Sequence, residues 1–188
     1  MKARFALALL ASAVPAAAGA QGAPKQGSVG LEGSVAGICI LGPPSRTSVP
    51  LGTLIDVSGP RTGRLAAIPA QQINLPGSWC NFAGTTIRVS AIALVASDAT
   101  PVQAGFARAV NFTSTVANWA NPNAAVTTAA SAAGAAPTAQ GTGGTLTQPK
   151  LADLTLTLSN FAVPSDALLV SSGYAGIVTI TLAPAVAP

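Results

Sequence analysis

The chain has 188 residues, of which 49% are hydrophobic and only 7% charged, with no histidine. That length suits a single domain, and the charge fraction lies far below the roughly 25% of ordinary soluble domains. Five carboxylates without histidine leave little material for acid–base chemistry or a metal site, and a net charge of +4 gives no electrostatic footprint for nucleic acid.

The chain opens with Lys2 and Arg4, continues through an apolar run over 5–10 and an Ala-rich stretch, and reaches Ala18-Gly19-Ala20. A basic start, a short apolar core and a small-x-small ending predict a secretory signal peptide over 1–20, cleaved after Ala20. Its core of about 10 residues is too short for the roughly 20 of a transmembrane span. No later stretch reaches that length, so integral membrane insertion is not expected. Without Lys2 and Arg4, seven basic residues face five acidic ones, and the mature chain is nearly neutral.

Residues 21–28 are polar and flexible in character. Val29, Leu31, Gly33, Val35, Gly37 and Cys39 then share one parity, the period of a strand, with the glycines marking a bend or break. A second short strand is predicted over 48–55, and Pro69 demotes 64–75 to an edge or two pieces. The β-branched run 85–95 is the clearest strand. Further strands are expected at 109–119, around Leu154, Leu156 and Leu158, and over 175–182, where Val178, Ile180 and Leu182 share a face. Between 120 and 149 lies an uncharged Ala/Thr/Gly/Pro segment, which predicts a long exposed loop. Several short strands separated by turn signals predict an all-β, antiparallel β-sandwich over 33–188, preceded by an N-terminal extension over 21–32.

Export gives the two cysteines a meaning. An oxidising compartment favours a Cys39–Cys80 bridge, and a reactive thiol would need an activating base that the chain lacks. The carboxylates Glu32, Asp56, Asp98, Asp153 and Asp166 form no close pair in sequence, and Lys25 and Lys150 lie in segments of flexible composition. There is no phosphate-cradling loop and no zinc or calcium pattern. No catalytic residue, metal or cofactor is therefore expected. Arg61 and Arg64 suit a solvated turn, Tyr174 a core or corner position, and Trp79 and Trp119 burial or the flank of the disulfide rather than carbohydrate platforms.

Residues 33–40 (Gly-Ser-Val-Ala-Gly-Ile-Cys-Ile), Trp79-Cys80-Asn81 with the strand after it, 112–119, and Ser172-Gly173-Tyr174-Ala175-Gly176 with its following strand occur in a telling order. Together they resemble the spore coat U domain proteins and chaperone–usher pilins. That resemblance implies an immunoglobulin-like sandwich lacking its last strand. A periodic assembly follows from it: a periplasmic chaperone fills the groove, an outer-membrane usher exports the subunit, and the extension of a neighbouring copy replaces the chaperone. Val29, Leu31 and Val35 are then the candidate donor-strand contacts, in a fimbria-like structural polymer at the cell surface. Two readings stay open. Residues 21–36 donate to a neighbour, or they complete their own sheet in a self-contained periplasmic or surface binding module, for example for carbohydrate.

Overall fold

The computed structural model describes residues 25–99 and 101–185, so the expected signal peptide lies outside the described residues. Two units are distinguished, Met1–Val35 and Ala36–Pro188. The boundary thus falls three residues later than the composition implies. In the first unit, residues 25–35 carry no helix or strand, and each is exposed. The strand expected from Val29 is therefore absent, and pairing starts only at Cys39.

The second unit is all-β. Its strands are β1 (Cys39–Ile40), β2 (Gln71–Cys80), β3 (Thr85–Ala96), β4 (Phe106–Ala107), β5 (Ala109–Ala117), β6 (Ala124–Thr127), β7 (Ala139–Thr142), β8 (Lys150–Ala162), β9 (Leu168–Leu169) and β10 (Tyr174–Pro184). Eight of them form one continuous sheet along the path β1-β2-β8-β5-β3-β10, with β6 beside β5 and β7 beside β3. All its pairings are antiparallel; the separate two-residue pair β4–β9 is parallel. Among the described residues, no helix is long and apolar enough to cross a membrane.

The sheet doubles back on itself at β5. The start of β5 pairs with β3 (Val110 with Leu94), and from Asn111 onward it pairs with β8, with a register shift between Asn111 and Thr113. One layer is therefore β1-β2-β8-β5-β6 and the other β10-β3-β7. Alternation explains the core between them. Ile73 and Leu75 of β2 and Leu154 and Leu156 of β8 meet Ile87 and Val89 of β3, with Val116 and Trp119 at the β5 end. A second cluster holds Leu65, Ala107, Val110, Val163 and Leu169.

Three expectations change. The stretch 48–55 makes only the bridge Ile55–Leu65, because Pro50 and Gly52 interrupt it and no strand lies beside it. β2 runs through Pro76-Gly77, where a register shift between Leu75 and Ser78 absorbs the residue that cannot donate. The segment 120–149 is folded, carrying β6 against one layer and β7 against the other. Its glycines allow close packing rather than mobility. A Cβ on Gly141 would lie 1.9 Å from the Ala125 carbonyl oxygen.

Candidate functional site

The two ends of the sheet path, β1–β2 and β10, approach each other, and among the described residues no strand lies between them. β10 is 11 residues long and pairs only with β3. In an antiparallel strand, alternate residues aim both N–H and C=O at each neighbour, so β10 presents a second, empty row. Among the described residues, no partner occupies that row. Its inward side chains are also incompletely covered. Val178, Ile180 and Leu182 remain partly exposed, whereas Ile87 and Val89 on the adjacent β3 are each 1% exposed.

Beside this edge lies an open groove of about 570 Å³. Its floor is Ile73, Leu75, Leu156 and Leu158; β10 contributes Tyr174, Val178 and Ile180; Phe112 and Phe161 line it as well. The opposite wall is Leu41, Val49 and Leu51, from the irregular segment after β1. Among the groove's lining residues, Arg46 is the charged one.

Hydrogen bonds to β2 explain where that wall stands. Gly42 N donates to Ser78 Oγ (2.9 Å), and the buried Ser78 hydroxyl donates in turn to Leu75 O (3.1 Å). Ser45 N donates to Asn74 O (2.7 Å), and Arg46 Nη2 donates to Gln72 O (2.8 Å). The chain thus follows β2 but cannot form a full ladder, since Pro43 and Pro44 have no N–H. Gly42 is required by close approach: a Cβ there would sit 1.7 Å from Pro76 O.

The other singled-out residues are distributed as follows. Cys39 and Cys80 are bonded, S–S 2.06 Å, and stand opposite one another in the β1–β2 register. Beyond the bridge, Asn81 Oδ1 accepts the Ile38 N–H (2.7 Å) and Nδ2 donates to Ala36 O (2.8 Å), a side chain standing in for a continued ladder. Val29, Leu31 and Val35 are 88%, 94% and 88% exposed. Tyr174 Oη donates to Val170 O (3.0 Å), four residues upstream, and burial pushes its phenol up from the ordinary value. Trp119 is buried, with the Lys150 ammonium 5.8 Å from its ring centroid. Trp79 is half-buried, in register between Ile40 and Leu151 on the outer face. Arg61 and Arg64 pair with Asp166 at 2.9 and 3.2 Å. Among the described residues, no group of three or more His, Cys, Asp or Glu could hold a metal.

Sequence reading identified the β10 face but missed Leu41, Arg46 and Leu51 as a groove wall. Their only signal was the Pro43-Pro44 break beside a run of partly apolar residues. No protein-family model, curated protein or solved structure matches this chain.

Proposed function

We propose that this protein is an exported structural subunit of a fimbria-like polymer, in which the groove beside β10 accepts an extended strand from a neighbouring copy. The carrying observation is the 11-residue edge of β10, unpaired on one side and bordered by an apolar groove. An empty strand edge over apolar side chains is a pairing site. A strand added there gains main-chain hydrogen bonds and buries alternate side chains. Each ~40 Å² of apolar surface it covers contributes about 1 kcal/mol. Head-to-tail filling does not close on itself and gives a fibre.

Three further features support the reading. Residues 25–35 are strandless, with apolar side chains at 29, 31 and 35, which suits donation better than self-completion. The Cys39–Cys80 bond suits an oxidising compartment outside the cytoplasm, consistent with a signal peptide, a periplasmic chaperone and an usher. The Tyr174 hydroxyl returning to Val170 O has the form of a tyrosine corner, a feature of Greek-key sandwiches. The resemblance to spore coat U proteins and pilins points the same way. No catalytic role is assigned.

The test is electrophoresis of the mature protein from its native envelope, in detergent, with and without boiling. A subunit polymer runs as a ladder that collapses to one band only on heating. A single band in both lanes would sink the proposal and return attention to a self-contained module, with half-exposed Trp79 as the first residue to replace in a glycan-binding assay.

A further inference from the structure

Resting on that reading, we infer that an ion pair between Glu32 of the incoming copy and Arg46 of the receiving groove sets the register of the inserted strand. The need for such a device follows from the donor itself. Val29, Leu31, Gly33 and Val35 repeat every second residue. A slip of two residues keeps every apolar side chain facing the groove, so hydrophobic pattern alone leaves the register degenerate. Something off the inward face has to discriminate.

Glu32 is the one carboxylate in residues 25–35, and its parity is opposite to that of Leu31 and Gly33. When those two face the floor, Glu32 faces the rim. It is exposed, and no partner for it exists among the described residues. Three of the four other carboxylates are engaged as follows: Asp56 and Asp166 with arginines, Asp153 with the Gly77 N–H. Arg46 supplies the complement. It is exposed on the groove wall opposite β10, its guanidinium is steered by Gln72 O at 2.8 Å and Gln71 Oε1 at 3.4 Å, and it has no carboxylate partner among the described residues. A guanidinium held by two acceptors still has donors to spare for a carboxylate. Because Gln72 adjoins Ile73 on the floor, this pairing sets the inward residues flanking Glu32, Leu31 and Gly33, over the stretch of floor around Ile73. A slip of two residues in either direction sets Gly30 or Ser34 opposite Arg46 instead and forfeits the pair.

The test is a charge swap in the full mature chain, followed by the rate at which the heat-labile ladder forms. Arg46→Glu alone and Glu32→Arg alone each oppose like charges and slow assembly by about three- to tenfold, an effect that fades in 0.5 M salt. The double variant assembles within about twofold of the unmodified protein. So does a one-to-one mixture of the two single variants, because each carries a donor that complements the other's groove. Melting temperatures of the single variants, measured alongside, separate slowed assembly from lost folding. A normal ladder from both single variants, or slow assembly that neither the double variant nor the mixture restores, overturns the pairing while leaving the polymer reading intact. No ladder from the unmodified protein overturns both.

Discussion

Arg61 holds the Asp166 carboxylate with both ends of its guanidinium, at 2.9 and 3.3 Å, and Arg64 adds a contact at 3.2 Å. The contacts fasten the turn Pro164–Asp166 to the 56–65 hairpin, at a point where Ser165 and Asp166 both have positive φ, 58° and 48°. The Arg61 hydrogen bond, with smaller Coulombic help from both arginines, holds the Asp166 carboxyl below its ordinary value. A carboxylate whose folded pKa is depressed contributes stability above its unfolded pKa, near 3.9, and loses it as pH falls through the folded value. Asp166→Asn tests this cleanly, since Asn tolerates the left-handed backbone as well as Asp does. The variant is expected to melt a few degrees lower at pH 7, and the gap should close as the pH falls below the ordinary carboxylate range, near 3.9. A gap that persists unchanged at pH 2 would mean that the contact acts through packing rather than charge.

At the scale of elements, β6 and β7 determine which side of the molecule is open. The segment between them passes from one layer to the other, so the β5 side is bridged by the chain itself, while among the described residues no strand crosses on the β10 side. Gly141→Ala drives a methyl group into the Ala125 carbonyl at 1.9 Å. Overpacking of backbone against backbone costs about 2 kcal/mol, or roughly 4–8 °C of melting temperature in a chain of this size. Exposed Thr138→Ala, in the same low-complexity stretch, should stay within ~0.5 kcal/mol. If both substitutions proved neutral by thermal melting, the segment would behave as the loose loop its composition suggests. Composition misleads here for a physical reason. Ala, Thr and Gly have too little contrast in hydropathy to display a period, and the information lies in the close approach that a missing side chain permits. Strand β3 was legible as a β-branched run, and β8 and β10 because Leu, Val and Ile alternate with Thr and Ser along them. The second half of β2 was hidden by Pro76-Gly77, whose bulge is held by the Gly42 N–H on Ser78 Oγ and the Gly77 N–H on Asp153 Oδ1. The stretch 48–55 shows the reverse failure, since alternation there signals a wall rather than a paired strand.

For the whole molecule, the decisive property is one that no single segment carries: which edge is left without a partner. Val178, Ile180 and Leu182 announce a buried face, and the structure leaves that face half covered because, among the described residues, no strand pairs with the far edge of β10. The compact unit begins at Ala36, where Asn81 clamps the backbone and Cys39–Cys80 closes a separation of 41 residues. By the chain-entropy estimate such a closure contributes about 4 kcal/mol. The second unit thus holds its own core and its own covalent closure, and residues 21–35 should be dispensable for its folding. A chain beginning at Ala36 is expected to melt within about 2 °C of one beginning at Lys25 when both are monomeric, since residues 25–35 are exposed and strandless and contribute little. On the proposed polymer reading, the same truncation abolishes the heat-labile ladder, because the groove survives and the proposed donor segment does not. Adding a synthetic peptide of residues 25–36 in excess should then raise the melting temperature of the truncated chain in a concentration-dependent way, as any ligand of the native state does. A truncated chain that melts far lower on its own would instead assign residues 21–35 to their own sheet and make the protein a self-completed module.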